Sequence, residues 1–416
     1  MSPRRSFITV LFVLVLTSCA ALVAFPDVPA IGPDASATTD SSRAPEAGAP
    51  RRDAGLRDGT AADRGATDAR GDRGVDVGSG SGSGSSDSPS CRAGDAGVAN
   101  CGSAGSESCC TSLALTAGTF DRSYRYVADA AIDAADPATI SGVKLDKYEV
   151  TVGRFRQYEN QMNDGGLGTP SAGEGKHTYL NGGAGLVNVG DGGAGGGTPS
   201  YEPGWVTADK AYFMPTPMHL QCDVVDGSAN VGTWTPSVGG NESLPINCVN
   251  WFEAYAFCIW DGGFLPTEAE WEYAAAGGSQ LREYPWGSTA PGTTNHYAIY
   301  DCLFGATSDA ACTRDNVSFS SIAPVGTAAA GDGPWGQVDL AGNLFEWTLD
   351  TFQPTYIDPC TDCANLSASA TPASQSRVIR GGAFNQGSGS LLSARRQASG
   401  AQNRSPAIGF RCARAP

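Results

Sequence analysis

Histidine is nearly missing from this chain: three occur among 416 residues, His177, His219 and His296, in unrelated contexts. A zinc or iron site built on imidazole is therefore not expected. Charge is sparse too, at 17% of residues, and its balance is −16. An acidic surface repels phosphate backbones, which argues against nucleic acid as a partner. No Phe, Tyr or Trp occurs between Phe25 and Phe120, so that interval has little with which to build a core. Glycine, by contrast, is abundant at 55 residues, with 25 prolines. That points to a loop-rich protein and away from coiled coils or helical repeats.

The N-terminus reads as an export signal over residues 1–18. Arg4 and Arg5 precede an apolar run from Phe7 to Leu16 that is too short to span a bilayer. The double arginine also suits twin-arginine export, so the route stays open. Leu16-Thr17-Ser18-Cys19 resembles the lipobox of bacterial lipoproteins, which implies cleavage before Cys19 and acylation of its thiol. On that reading Cys19 is a lipid anchor. The protein is then expected in the cell envelope, outside the cytoplasm, at the periplasmic or outer surface of a membrane. Residues 19–90 hold Ala, Asp, Arg, Gly and Ser, and end in a Gly-Ser run. Such a chain cannot bury enough apolar surface to offset its ordering entropy. It is expected to be a flexible tether of roughly seventy residues with a reach on the order of 45 Å.

Cysteine numbers 13, and removing the lipidated Cys19 leaves an even set. In an exported protein that favours disulfides over catalytic thiols. Cys91, Cys101, Cys109 and Cys110 form a short Cys-rich segment over residues 91–112. The neighbours Cys109 and Cys110 can hardly bond each other, so each is expected to bond elsewhere. Cys360-Thr361-Asp362-Cys363 has a redox and metal spacing, but a local disulfide is the expected state in an oxidising compartment.

A foldable pattern begins near residue 113 and runs to the end. Leu145 to Val150 alternates like a strand, and Thr151 opens a helix with an apolar face of Val152, Phe155, Tyr158 and Met162. Residues 164–200 are glycine-rich and predict a long insertion loop. Asn250 suits the N-cap of a second helix, which Gly262-Gly263 stops. Thr267 with Glu270 makes a capping box for a third, ending at Gly277-Gly278. Short strand-like runs follow. The pattern predicts an α+β domain with few helices, many loops and disulfide staples.

Leu265-Pro266-Thr267-Glu268-Ala269-Glu270-Trp271-Glu272-Tyr273-Ala274 is very similar to the signature of the formylglycine-generating enzyme family, also called sulfatase-modifying factors. Supporting matches come in the family's order. They are Asp146 to Thr151, Pro245 to Trp251, Tyr284 to Gly287, Pro324 to Gly326, Asp339 to Trp347, Arg380-Gly381-Gly382, and Gly409 to Cys412. Together they span residues 113–414. The resemblance implies the family's C-type-lectin-like fold and a sulfatase-modifying-factor-like domain over residues 113–416. It also implies a disulfide between Cys258 and Cys412, as in the family's extracellular members. Finally, it implies a structural Ca²⁺ held by Asp339, Gly342, Leu344 and Glu346, the middle two through backbone oxygen. Carboxylate and carbonyl oxygens suit that ion.

The resemblance does not carry over the chemistry. The family's oxidases convert a substrate cysteine to formylglycine with O₂, using two cysteines after Arg-Gly-Gly that bind Cu(I). Counted from Arg380, those positions are Gln386 and Leu391, and no cysteine lies between Cys363 and Cys412. Neither residue supplies the soft thiolate Cu(I) needs, so no copper is expected. Glu268, Glu270 and Glu272 read as capping and surface charge rather than an acid–base pair. Ala383 to Ile408, rich in Asn, Gln, Ser and Arg, corresponds to the ligand-contacting segment of variable proteins that share the fold. It is either a binding face or an ordinary solvated loop. Three readings follow: a lipid-anchored surface module that binds an envelope protein or a glycan; a formylglycine-type oxidase with displaced thiols; or an enzyme of this fold with another site.

Overall fold

The computed structural model describes residues 88–92, 97–127, 130–190, 200–222, 232–305, 319–366 and 374–416. The export signal, Cys19 and the tether up to residue 87 lie outside the described residues. The chain opens with strands β1 (Ser112–Leu115), β2 (Gly118–Val127), β3 (Ala130–Ile140) and β4 (Val143–Asp146). β2 and β3 form a long antiparallel hairpin, shifted in register between Ser123 and Arg125. The sequence reading placed no hairpin there, because Ala and Asp dominate β3 and blur its alternation.

The three helices start where their caps predict. Helix α1 (Val152–Asn163) follows Thr151, whose hydroxyl accepts the Arg154 amide at 3.2 Å. Helix α2 (Trp251–Trp260) follows Asn250 in a capping box with Glu253. Helix α3 (Glu268–Ala276) follows Thr267 in a capping box with Glu270, and Gly277 ends it at φ 70°. The main core lies between α1, α2 and the C-terminal strands. There Phe155 stacks on Phe257 at 5.5 Å, and Phe410 meets both edge-on.

The glycine-rich stretch expected as an open insertion is folded in part. His177, Leu180 and Leu186 are buried. β5 (Val187–Asn188) pairs with β6 (Ser200–Tyr201) and, in parallel, with a strand near the Cys360-x-x-Cys363 turn. Residues 191–199 lie outside the described residues. The rest of the chain supplies β7 (Phe345–Thr351), β8 (Cys360–Thr361), β9 (Cys363–Ala364), β10 (Ser376–Arg380), β11 (Arg396–Gly400), β12 (Ile408–Gly409) and β13 (Ala413–Arg414). These build four small sheets, ordered β1-β4-β13, β11-β10-β7-β12, β2-β3-β8 and β6-β5-β9. The architecture is α+β, with few helices and many short strands.

Disulfides and buried ion pairs tie these pieces together. Cys258 in α2 bonds Cys412 across a sequence separation of 154. Cys109 bonds Cys101 and Cys110 bonds Cys91, while Cys222 bonds Cys248 and Cys360 bonds Cys363. Cys302 is disulfide-bonded as well. Both disulfides of the Cys-rich segment close within it, and hydrogen bonds such as that from the adjoining Ser90 amide to Asp261 at 3.0 Å tie it to the domain. Arg154, fully buried, reaches Asp146 at 3.0 Å and Asp261 at 2.7 Å, and donates to the Cys109 carbonyl.

Candidate functional site

The glutamates of α3 are not surface charge, as the sequence reading expected. Glu268, Glu270 and Glu272 are all buried, because each has a partner inside the fold. Glu272 is ion-paired to the buried Arg380 and accepts from the Tyr356 hydroxyl at 3.1 Å. Burial pushes the Glu272 carboxyl up to about 7, against the pull of Arg380. Glu268 grips Arg396 bidentately at 2.7 and 2.6 Å. Glu270 caps α3 and lies 3.5 Å from Nε2 of the buried His177, whose Nδ1 meets Glu202 at 3.1 Å. Burial opposes charge on that imidazole, yet Glu270 and Glu202 outweigh it and raise His177 to about 9.

Through these pairs α3 positions the wall of a groove. β2 places Arg122, Tyr124 and Tyr126 at alternate positions, and Leu392 to Arg396 run opposite. Tyr124, Tyr126, Arg125, Glu283, Leu392 and Arg395 line a cavity of about 350 Å³. Arg122, Ser123, Asp136, Tyr356 and Arg396 line a second of about 310 Å³, and Tyr124 and Ala394 border both. The Tyr356 ring lies between two guanidinium groups, Arg122 at 4.4 Å and Arg396 at 4.1 Å from its centroid. The Tyr124 hydroxyl donates to the Arg282 carbonyl at 2.7 Å, which fixes that ring. The groove thus has rigid aromatic walls, and its arginines differ in how firmly they are held.

Of the segment Ala383 to Ile408, only part faces this groove. Ala383, Phe384, Leu391 and Ser393 are buried. Leu391 sits in an apolar cluster with Tyr284, Ala298, Tyr300 and Ala341. Gln386 is half-buried, and its backbone carbonyl accepts the Asp301 amide at 2.9 Å. Farther on, Arg404 is tied to Glu253 and to the Cys248 carbonyl. The sequence reading marked the segment but missed the hairpin that faces it. The period-two run Arg122, Tyr124, Tyr126 is the signal that could have found it.

The Asp339–Glu346 loop lies deeper. Gly342 has φ 87°, and a Cβ there would come within 2.4 Å of the Ile299 carbonyl oxygen, so only glycine fits. Asp339 Oδ2 accepts the Gly326 amide at 2.6 Å. Glu346 Oε2 accepts from Arg411 Nε at 2.6 Å and Trp271 Nε1 at 2.9 Å, while Oε1 accepts from Arg411 Nη2 at 2.7 Å. Glu149 accepts from the Leu344 amide and the Asn343 side chain. Three buried carboxylates therefore surround one guanidinium. Burial, with Asp339 and Glu346 nearby, holds Glu149 well above its ordinary range, and burial lifts Asp339 to about 6. Such a negative excess suits a hard cation, and every candidate donor is oxygen. Glu346 can share only Oε1, since Oε2 already has two donors. Among the described residues, no cluster of three or more His, Cys, Asp or Glu side chains is arranged as a metal cage. Main-chain oxygens, such as those of Gly342 and Leu344, would have to complete the set.

The family of the Sulfatase-modifying factor enzyme 1-like domain matches residues 99–416. The chain belongs to the sulfatase-modifying factor family. Bovine (Bos taurus) formylglycine-generating enzyme is 33% identical over 180 residues, covering 40% of this chain and 45% of that protein. The mouse (Mus musculus) inactive C-alpha-formylglycine-generating enzyme 2 is 35% identical over 150 residues, covering 33% of this chain and 46% of that protein. The chain thus matches about half the length of these curated relatives. Among solved structures, PvdO from Pseudomonas aeruginosa aligns with 73% of this chain and 94% of its own, at 18% identity and a TM-score of 0.44. Within this sulfatase-modifying factor domain, Gln386 is half-buried and Leu391 is buried. Every cysteine among the described residues is in a disulfide.

Proposed function

We propose that this sulfatase-modifying factor domain is a binding module, held on a membrane through lipidated Cys19, that recognises an envelope protein or a glycan in the groove between β2 and Leu392–Arg396. The observation that carries this reading is the pair Gln386 and Leu391. An amide and an alkyl chain stand where Cu(I) would need thiolates, and the alkyl chain is packed among aromatic rings. The disulfide state of all described cysteines supports it, since a displaced copper pair needs free thiols. The groove's tyrosines and arginines supply rigid contact area and directional donors. The similarity to formylglycine-generating enzymes of bovine and bacterial origin favours the second reading, an oxidase with displaced thiols.

Alkylation of the denatured, unreduced protein followed by mass measurement separates the two. A binding module takes up no label on any cysteine after Cys19, whereas two labelled cysteines would favour the oxidase. Anchoring is tested by palmitate labelling of wild type and Cys19→Ala; equal labelling would remove the anchor. Asp339, Gly342, Leu344 and Glu346 are proposed to hold Ca²⁺ as a structural ion. Millimolar calcium should then stabilise the fold by on the order of 1–3 kcal/mol and raise the melting temperature relative to EDTA. An identical melting temperature in both buffers would remove the ion.

A further inference from the structure

β2 is the edge strand of its sheet beside the groove, with the short turn Gly278–Gln280 packed against part of it. Among the described residues it pairs with β3 alone, and its backbone makes no hydrogen bond outside that pair. A row of unpaired amides and carbonyls is a template for another strand. β2 and β3 continue over 10 and 11 residues, so the edge is long. Its residues Arg122, Tyr124 and Tyr126 border the two cavities, and Tyr124 separates them.

Charge says what such a strand carries. The chain has a net charge of −16, yet the groove is lined by Arg122, Arg125, Arg395 and Arg396 against Asp136 and Glu283. Arg396 is committed to Glu268, and Arg122 to Asp358 at 2.6 Å. Arg395 is exposed, and its guanidinium has no ion-pair partner among the described residues. Arg125 meets only Asp133, and both side chains are about two-thirds exposed, at 64% and 66%. An ion pair of that kind is readily exchanged for a better one. The first cavity therefore offers two available guanidinium groups between tyrosine walls.

We propose that the β2 edge takes an extended acidic peptide as an added strand, with a carboxylate seated against Arg395 and Arg125. Side chains two residues apart on a strand are roughly 6.6–6.8 Å apart on the same face. Alternate side chains of the peptide thus enter the two cavities that meet at Tyr124. Main-chain bonds supply affinity and the cavities supply selectivity. A saccharide has no amide register to match the edge. The inference rests on the binding-module reading and narrows it to one ligand class.

The test titrates the full, disulfide-intact chain into a labelled ten-residue peptide alternating Val and Glu, read by fluorescence anisotropy. Binding is expected, with about tenfold loss for the Val-Lys counterpart and for Arg395→Ala, and a smaller loss for Arg395→Lys. N-methylation at every second residue should weaken binding about tenfold in one register and leave it intact in the other, because only one set of amides faces the edge. Equal affinity in both registers, unchanged affinity in Arg395→Ala, or no binding would overturn strand addition. Oligogalacturonate binding in place of the peptide would also overturn it, while leaving a binding module. A dimer seen by sedimentation that the peptide fails to dissociate would assign the edge to a second copy of the chain, and so would overturn it too.

Discussion

Arginine does two different jobs in two regions of this molecule. In α1, beside α3 and in the C-terminal Gly-Phe-Arg run, Arg154, Arg380 and Arg411 are fully buried, and each meets one or more carboxylates. Across the groove, Arg125 and Arg395 are exposed, one in a solvent-exposed pair and the other without a pair among the described residues. Buried pairs have already exchanged water for protein, so removing one partner leaves an uncompensated charge inside. The exposed arginines are unpaired among the described residues, as Arg395 is, or paired in solvent, as Arg125 is with Asp133. The first set holds the domain in one shape, and the second is available to a ligand.

The buried set depends most heavily on the disulfide beside Arg411. Replacing both Cys258 and Cys412 by serine should cost about 4–5 kcal/mol, given the long loop they close. Denaturant melts under non-reducing conditions would measure it, and a loss near zero would mean the C-terminal run is held by packing alone. Next comes Arg380→Met, which strands Glu272 and Glu268 in the interior. A loss of about 3–5 kcal/mol is expected in the same melts, and a neutral change would place those carboxylates in contact with water.

His177 makes the buried ion pairs sensitive to pH. Its folded value, about 9, lies above its ordinary 6.5, so its ion pairs stabilise the fold fully below pH ~6.5. That stability, on the order of 3 kcal/mol, fades as pH rises through 9. Stability measured from pH 6 to 10 should fall between about pH 6.5 and 9 and then level off in wild type, a decline absent from His177→Gln. The smallest effect is at the groove: Arg395→Ala should change stability by less than about 0.5 kcal/mol while weakening ligand binding. A larger loss would put Arg395 with the scaffold.

Much of the scaffold was legible in the sequence. Thr151, Asn250 and Thr267 announce helix starts through local chemistry, and a cap acts within three or four residues of itself. The fate of Glu268, Glu270 and Glu272 was not legible, because their partners Arg380, Arg396 and His177 are distant in sequence and only folding brings them near. The β2–β3 hairpin was hidden for a different reason. Its Ala- and Asp-rich second strand gives a weak alternation, and its stability comes from pairing rather than propensity. For the groove, the segment after Arg380-Gly381-Gly382 was visible and the opposing wall was not. Leu391 could be counted to its position, but its place among Tyr284 and Tyr300 needed the fold.

On the proposed reading this domain binds its partner and does not oxidise it. The decisive experiment incubates the full chain with Cu(I), O₂, a two-electron reductant and a cysteine-bearing sulfatase peptide, and reads the peptide by mass spectrometry. On that reading, the peptide should keep its thiol and no formylglycine should form. Aldehyde product accumulating over several turnovers would contradict the account.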